Sequence, residues 1–459
     1  MTEQLKLKLN DSKATRWGAL VIVAFTMMAA YYVNDVVAPL KTMLETDLAW
    51  SSTDFGFFTG GYSFLNVFFL MLIWGGLILD RFGIRFTGKL ATILMVGGTA
   101  LEYYAMTGLA GADATLFGIN EIFGYKTGVF VAFAGYSIFG VGAEVAGITV
   151  SKIIAKWFKG KELATAMGVQ VALARIGSQA GYAVAIPLAR AFGISTPVLL
   201  GLVLLLGGMI AFFVFAVMDK KLDKQMEAAA IAAGTEDEEE KFPFKDVKNI
   251  LVNPGFWLIA LLCVLFYSCV FPFQKFASEL MIIKYGINEN VAGTFAGLPA
   301  LGALILTPVF GGFTDKRGKS ASIMLLGSAM LICVHFIYAI PDINYWLVAI
   351  VLMIILGIAF SLVPSAMWPA VAKIFPVSQL GTAYALIFFI QNIGLWGIPT
   401  LIGWVLDAYC ISGKKPDGTN MYDYTVPMCI FTGIACLSLI VALLLKKACL
   451  LYTSDAADE

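Results

Sequence analysis

Two stretches, Gly76–Gly83 (GLILDRFG) and Gly311–Gly318 (GGFTDKRG), decide the fold of this chain, because both end an apolar segment with the pattern Gly-x-x-x-Asp-basic-x-Gly. A motif repeated at so wide a separation indicates two related halves. In each copy, we expect the first glycine to permit close approach of a neighbouring helix and the last to form a tight turn. The motif residues predicted to act in gating are Asp80, Arg81, Asp315, Lys316 and Arg317.

The composition indicates the solvent in which these halves fold. The 459 residues are 59% hydrophobic and 14% charged, whereas soluble domains carry about 25% charged residues. The chain is therefore predicted to cross a membrane many times. A formal net charge of zero argues against nucleic acid as a partner, and a single histidine without a Cys/His cluster predicts no metal or other cofactor. No pattern of nucleophile and base indicates an enzyme.

Twelve apolar segments are long enough to span a bilayer as helices, which takes about 20 residues. The predicted fold class is an all-α membrane protein with twelve transmembrane helices in two pseudo-symmetric six-helix halves. The segments are 17–41, 53–79, 87–109, 126–156, 163–189, 194–218, 253–284, 288–314, 320–339, 345–373, 381–408 and 425–447.

The distribution of lysine and arginine predicts the orientation, because cytoplasmic loops carry an excess of both near the ends of spans. Connections after even-numbered spans are rich in them, and the other connections hold few. Both termini are therefore predicted to be cytoplasmic. The basic residues of the even connections include Arg81, Arg85, Lys89, Lys156, Lys159, Lys161, Lys220, Lys221, Lys224, Lys316, Arg317 and Lys319.

These boundaries divide the chain into five parts. We expect a cytoplasmic N-terminal segment at 1–16, a six-helix half at 17–218 and a second half at 251–448. The cytoplasmic linker at 219–250 contains an acidic run that we interpret as a solvated face. Residues 449–459 are predicted to be a cytoplasmic tail, to which we assign no role.

The two halves align beyond the opening motif. Gly140 falls on Gly357, and Gly177 falls on Gly394. Two halves of the same orientation, each built from nested three-span units, resemble the architecture of major facilitator transporters. In that architecture the substrate site lies between the halves.

Two charges break the repeat. Glu144 and Arg175 lie deep inside spans, where charge is costly and usually functional, whereas their counterparts are Ser361 and Asn392. Both residues lie equally far along the chain from the middle of the turn that joins spans 4 and 5. At a rise of about 1.5 Å per residue, they therefore lie at one depth near the midplane. In one interpretation the pair neutralises itself to permit burial. In the other, Arg175 binds a substrate carboxylate and Glu144 an ammonium, so that a zwitterion replaces the internal pair.

Further residues are candidates for the cavity and its gate. Asp35 and Lys275 lie towards the outer ends of spans 1 and 7, where they either close an outer gate as an ion pair or extend separately to the interface. His335 is interpreted as a packed residue. Whether Cys410 and Cys429 form a disulfide is an alternative that the sequence does not decide. Besides Glu144 and Arg175, the candidate substrate-binding residues are Tyr31, Tyr62, Asn66, Tyr267, Phe271, Gln274, Lys275, Trp368, Gln391 and Asn392.

Several stretches resemble the MFSD-one-type family of lysosomal major facilitator proteins. The likeness covers both halves and keeps the spacing. Members of that family move dipeptides as uniporters, and their functional Glu and Arg in spans 4 and 5 match Glu144 and Arg175 here. A dipeptide is a zwitterion, which agrees with the second interpretation of this pair. The stretches are Phe139–Glu144, Trp157–Leu163, Ala174–Ser178, Val270–Phe273, Thr314–Lys319, Leu380–Tyr384 and Ile390–Gly394.

The resemblance implies an alternating-access, passive carrier of dipeptides or related zwitterionic amino-acid compounds. Because no lysosomal sorting signal or outward-facing glycosylation sequon is evident, we expect a bacterial relative in the cell (inner) membrane that acts as a monomer without an accessory subunit. Two alternatives stay open. One is a carrier of organic anions that uses Arg175 and Lys275, with or without proton coupling. The other is a membrane sensor that binds its ligand without transporting it.

Overall fold

The computed structural model describes residues 8–111, 114–233, 246–317, 319–375 and 377–455, and these residues are largely helical. The first half contains α1 (Lys13–Val36), α2 (Lys41–Asp47), α3 (Ser52–Phe68), α4 (Met71–Thr107), α5 (Thr127–Trp157), α6 (Leu163–Phe192) and α7 (Thr196–Ala233). The second half contains α8 (Asp246–Val252), α9 (Pro254–Tyr285), α10 (Glu289–Ala296), α11 (Leu298–Arg317), α12 (Ser320–Ala339), α13 (Trp346–Ile374), α14 (Val377–Tyr409) and α15 (Thr425–Asp455).

Short elements connect the helices at their ends. Single 3₁₀ turns occupy Leu9–Asp11 and Ala38–Leu40. Strands β1 (Glu121–Ile122) and β2 (Tyr125–Lys126) form one antiparallel hairpin, and β3 (Ile411–Lys414) and β4 (Asn420–Tyr422) form another. Both hairpins lie at the end of the bundle away from the N-terminal segment and the linker. We call this end distal and the opposite end proximal.

Helices lie along the predicted spans, with one break inside the second, but fewer than twelve of the described helices are long and apolar enough to cross a membrane. Leu70 is left-handed (φ 53°), so that α3 and α4 are bent by 58°. Gly83, inside α4, has φ 75° and ψ 173° and makes the tight turn between the second and third spans. Within the described residues, nine helices are long and apolar enough to cross a membrane, or ten when the bent pair counts as one span.

Equivalent glycines bring equivalent helices into close contact in the two halves. A Cβ at Gly140 of α5 would overlap the carbonyl oxygen of Tyr62 in α3, and one at Gly357 of α13 would meet Pro299 of α11. Likewise Gly177 of α6 faces the Met28 carbonyl of α1, as Gly394 of α14 faces Ser268 of α9. The aligned glycines of the repeat therefore occupy corresponding helix crossings.

The first glycines of the duplicated motif do not have the role that the sequence predicts. No atom lies within 4 Å of a Cβ built on Gly76 or Gly311, because no other described helix approaches those faces in this conformation. The close contact in that region is made one residue earlier by Gly75, which faces the Val145 side chain of α5. Gly318, the last glycine of the second copy, lies outside the described residues.

The halves meet mainly at the distal end. Helix α3 packs along α14, and α6 packs against α10 and α11. Gly56 of α3 faces Gly403 of α14, and Gly293 of α10 faces the Tyr182 carbonyl of α6. The distal side is closed by these contacts.

We predict that Gly140→Ala lowers the thermal unfolding midpoint in detergent, because the new methyl group would collide with the backbone of Tyr62, which cannot rotate away. Overpacking of this kind costs about 1–3 kcal/mol. Gly97→Ala in α4 is the matched control, since nothing lies within 4 Å of its Cβ and alanine favours the helix by up to about 1 kcal/mol. Equal midpoints for the two variants would contradict the assigned crossing.

Candidate functional site

The carboxylate of Glu144 is held from the neighbouring helix α3. Tyr62 donates its hydroxyl to Glu144 Oε1 at 3.0 Å. The backbone contact between Tyr62 and Gly140 fixes this geometry, because Gly140 lies one turn before Glu144 on the same face of α5. Both side chains are partly exposed although Glu144 lies near the middle of α5. Tyr62 is the hydrogen-bond partner of Glu144 among the described residues.

The guanidinium of Arg175 lies between aromatic rings of the two halves. Its Cζ is 5.6 Å from the centre of the Tyr31 ring in α1 and 5.0 Å from that of Phe360 in α13. Cation–π contacts of this kind hold a cation without using its N–H groups. None of the hydrogen bonds or ion pairs described for this chain uses the Arg175 guanidinium, so its donor fork is available to a planar anion.

Glu144 and Arg175 are not paired with each other. No ion pair within 4.0 Å joins them among those described. The interpretation in which the two charges neutralise each other therefore does not describe this conformation. A carboxylate and a guanidinium both stand at mid-depth with unused hydrogen-bonding capacity.

Aromatic side chains of the second half extend from Arg175. The rings of Phe360 and Phe271 meet edge to face, with 5.3 Å between their centres. Phe271 in turn stacks on Tyr267, with 5.5 Å between ring centres. Sequence reasoning selected Tyr267 and Phe271 but missed Phe360. Its position in the repeat was the available indication, because Phe360 directly precedes Ser361, the counterpart of Glu144. Trp368 lies further along α13, where its ring stacks on Phe388 at 4.9 Å.

The predicted amide side chains are buried, and none of their described contacts is with Glu144 or Arg175. Gln274 donates to the Ala296 carbonyl at 3.4 Å, Gln391 accepts from the Cys263 thiol at 3.3 Å, and Asn392 donates to the Phe388 carbonyl at 2.9 Å. Asn66 is 1% exposed, with no hydrogen bond described for its amide. The contacts of Gln274 and Gln391 join α9 to α10 and α14, whereas that of Asn392 stays within α14.

Asp35 and Lys275 form an ion pair between the halves. Lys275 Nζ lies 3.2 Å from Asp35 Oδ1 and also donates to the Asn34 carbonyl at 2.6 Å. Ser178 of α6 donates to Asp35 Oδ2 at 2.5 Å, and Tyr136 of α5 donates to the Asn34 carbonyl at 2.8 Å. Of the two alternatives that the sequence left open for this pair, the structure has the ion pair.

A larger buried charge cluster, which the sequence reasoning missed, lies at the distal end. Lys41 Nζ is 2.6 Å from Glu45 Oε1 and 2.5 Å from Glu279 Oε2, so one lysine joins carboxylates of both halves. Lys415 Nζ approaches the remaining oxygens of these glutamates at 3.6 and 3.8 Å, and Tyr424 donates its hydroxyl to Glu279. We call Lys41, Glu45, Glu279 and Lys415 the distal cluster. Its charges balance, which permits burial between the halves.

Few features of the sequence indicate the distal cluster. Lys41 and Lys415 are among the few basic residues of the connections after odd-numbered spans, and the two glutamates belong to no motif. Glu279 is 2% exposed and Lys41 is 1% exposed. A charged residue late in an apolar helix, such as Glu279 in α9, was the available signal.

The gating motif forms contacts within the first half at the proximal end. Asp80 pairs with Lys152 of α5 at 2.9 Å, with both side chains about half exposed. Arg81 lies near the ring of its neighbour Phe82 at 5.6 Å. Lys316 is exposed, and the side chains of Asp315 and Arg317 lie outside the described part of the chain.

The remaining predictions concern packing. His335 is buried, with Nε2 3.0 Å from the Cys269 carbonyl oxygen and its ring stacked on Phe431 at 5.3 Å. It is therefore a packed residue in α12. Cys410 and Cys429 are both free thiols in this structure.

Comparisons with known proteins agree with this architecture. The profile described as Major Facilitator Superfamily matches residues 20–399. The lysosomal dipeptide transporter MFSD1 of Homo sapiens is 29% identical over 409 residues, which cover 86% of this chain and 81% of that protein. For MFSD1 of Danio rerio the identity is 28% over 400 residues, covering 85% of this chain and 80% of the relative.

Solved structures share the fold at low sequence identity. The nucleoside transporter NupG superposes with a TM-score of 0.65 and 13% identity, covering 93% of this chain and 98% of that one. A D-xylose-proton symporter gives a TM-score of 0.64 and 14% identity, with 93% and 97% coverage. At these identities the likeness establishes the fold alone.

We predict that Lys41→Met lowers the free energy of unfolding by about 3–5 kcal/mol, because it leaves buried Glu45 and Glu279 without their close cation. Lys415→Met should cost less, since Lys415 lies 3.6 and 3.8 Å from the same carboxylates. Lys152→Met, which removes a half-exposed pair, is the control and should change stability by about 1 kcal/mol or less. Thermal or denaturant unfolding in detergent measures all three. If Lys41→Met matched Lys152→Met, the distal cluster would not hold the halves together.

Proposed function

Because this chain belongs to the major facilitator superfamily, it is a multi-pass membrane transporter and not an enzyme, and we propose that it carries dipeptides or closely related zwitterionic amino-acid compounds. The observation that carries the proposal is that Glu144 and Arg175, both at mid-depth, form no described ion pair with each other and have other partners. The identity with lysosomal dipeptide transporters over most of the chain supports the same substrate class.

The chemistry of the pair selects for a zwitterion. Arg175 offers a planar donor fork that matches a carboxylate with two parallel hydrogen bonds. Glu144, which accepts one hydrogen bond from Tyr62 at 3.0 Å, has a second oxygen for a substrate ammonium. A ligand that supplies only one charge would leave the other protein charge unpaired after water is excluded. Such a loss typically costs about 2–5 kcal/mol, a factor of roughly 30 or more in affinity.

Rings of both halves would enclose the bound molecule. Tyr31 belongs to the first half, whereas Phe360, Phe271 and Tyr267 belong to the second. Because Phe360 and Tyr31 both contact the Arg175 guanidinium, a carboxylate on Arg175 would sit where the halves converge. Apolar side chains of a dipeptide then have aromatic surface to contact, which is the usual composition of a small-ligand site.

The polar contacts between the halves suit a mechanism of alternating access. In this conformation the distal cluster and the Asp35–Lys275 pair join the halves at the distal end. We propose that these contacts separate when the site opens to the distal side, and that the motif residues Asp80, Arg81, Asp315, Lys316 and Arg317 take part in closing the proximal side. With the cytoplasmic termini that the sequence predicts, the distal side, which is closed here, would be the outer side. The protein is proposed to act as a monomeric uniporter in a cell membrane, without an accessory subunit.

The organic-anion alternative depends on a second free cation. Lys275 is already paired with Asp35 at 3.2 Å and bonded to the Asn34 carbonyl. A dicarboxylate would therefore meet Arg175 and an unfavourable Glu144 in this conformation. This disposition favours the zwitterion over the dianion.

We predict that free dipeptides raise the thermal unfolding midpoint of the purified protein, whereas N-acetylated dipeptides, dipeptide amides and dicarboxylates do not. Glu144→Gln should abolish the preference for a free amine, and Arg175→Ala should abolish the preference for a free carboxylate. Uptake of labelled dipeptide into liposomes should fall at least tenfold in both variants, since each removes a charge contact worth more than about 1.4 kcal/mol.

Matched controls remove surface charges of the same kind. Glu121→Gln and Lys414→Ala alter exposed residues of the two distal hairpins and should retain uptake. Stabilisation by dicarboxylates with indifference to peptides would establish the anion carrier instead. Stabilisation by dipeptides without flux into sealed liposomes would establish a sensor.

A further inference from the structure

Two consecutive tight turns in the distal connection between α4 and α5 have the same unusual sequence, Phe-Gly. In the first, Leu116 and Ile119 bridge across Phe117 and Gly118, with reciprocal backbone hydrogen bonds of 3.0 Å. In the second, Ile122 pairs with Tyr125 across Phe123 and Gly124, which closes the hairpin of β1 and β2.

Both phenylalanines have a backbone conformation that their side chain disfavours. The φ angles are 54° at Phe117 and 53° at Phe123, and the glycines that follow have 79° and 80°. Positive φ at both central residues is the signature of a type I′ turn, whose first position is normally asparagine, aspartate or glycine. A bulky residue there is an outlier that points to a role for the side chain.

The turns display both rings to the surroundings. Phe117 is 94% exposed and Phe123 is 89% exposed, more than any other large hydrophobic residue described. The connection itself is firmly attached to the bundle. Tyr125 stacks on Phe57 of α3 at 3.9 Å, and Thr127 donates from its backbone to the Asn120 carbonyl at 2.9 Å and from its hydroxyl to the Ile119 carbonyl at 2.8 Å.

The second exposed ring continues an aromatic row along the side of the bundle. The row runs Phe123, Phe130, Phe133, Phe64 and Phe68, and the distances between successive ring centres are 5.9, 6.1, 5.0 and 4.9 Å. Phe68 is itself 51% exposed. Phe133, in the middle of the row, is 6% exposed, so the exposed members are the two ends, Phe123 and Phe68. Exposed aromatic surface on a membrane-spanning helix such as α3 meets lipid, and the row therefore connects a lipid-exposed ring to the hairpin. Exposed phenylalanine on a segment at the membrane surface is stabilised by burial at the boundary between lipid headgroups and acyl chains.

We propose that Phe117 and Phe123 insert into the interfacial layer of the bilayer on the distal side and anchor the first half there. The occupant of this surface is lipid, because the aromatic row joins Phe123 to Phe68, an exposed ring on the membrane-spanning helix α3. Polar residues such as Asn120 and Glu121 lie between the two exposed rings, as expected of a segment at the membrane surface. The anchor is independent of the identity of the transported substrate. It would fix the level of α4 and α5, and with them Glu144, relative to the membrane.

The depth of each ring can be measured with a nitroxide on Phe117→Cys or Phe123→Cys, in protein with Cys333, Cys429, Cys436 and Cys449 replaced by serine. The protein is reconstituted into vesicles of phosphatidylcholine and phosphatidylglycerol. Collision with oxygen should be several-fold stronger, relative to collision with a water-soluble nickel complex, than for a label on Asp417→Cys. Asp417 lies in the other distal hairpin and is exposed.

A second measurement separates lipid insertion from a purely structural role. Phe117→Asn combined with Phe123→Asn suits the left-handed turns better, so the unfolding midpoint in detergent should stay equal or rise. In vesicles, a label on Glu121→Cys should become more accessible to nickel in this variant than in the parent. Water-exposed labels at 117 and 123 in vesicles would overturn the proposal and leave a soluble partner protein as the occupant. The proposal would also be overturned if the nickel accessibility of the label at 121 were the same in the double variant as in the parent.

Discussion

The structure depends on helices that touch at their backbones, which only glycine permits. Gly140 brings α5 onto α3, and this contact aims the Tyr62 hydroxyl at Glu144 one turn further along. Gly177 brings α6 onto α1 in the same way, so that Tyr31 lies against Arg175. The second half keeps both crossings through Gly357 and Gly394 but has neutral residues at the corresponding sites. One scaffold was thus duplicated, and one copy carries the charges.

Charge pairing separates the closed region of the protein from the region that we propose binds substrate. At the distal end, Lys41 contacts two carboxylates and Asp35 contacts Lys275, so these buried charges are compensated across the halves. At mid-depth, the contacts described for these two charges are a hydrogen bond from the Tyr62 phenol to Glu144 and cation–π contacts of Arg175 with two aromatic rings. Since an uncompensated charge in an apolar interior is costly, a ligand with two opposite charges is favoured there. The same physical cost therefore explains both the closure and the proposed selectivity.

Predictions from the sequence succeeded where the signal was local or repeated. Apolar length located the helices, the repeat aligned the crossing glycines, and Gly83 formed the expected turn, because each depends on near neighbours in the chain. The role given to Gly76 and Gly311 was wrong, since close approach requires a partner helix and none is near in this conformation. The distal cluster was missed, because Lys41, Glu45, Glu279 and Lys415 come from three separate stretches of the chain.

The sequence by itself determined the membrane environment and the duplicated helical architecture, because hydrophobicity and repetition are properties of the residues. The cost of intramembrane charge likewise led to the proposal of Glu144 and Arg175 as the site. Only the tertiary structure decided which charges meet. It separated Glu144 from Arg175, joined Asp35 to Lys275, and brought Phe360 of the second half to the guanidinium of the first. These outcomes depend on how two rigid halves are tilted against each other, and side-chain distances of a few ångströms follow from that tilt.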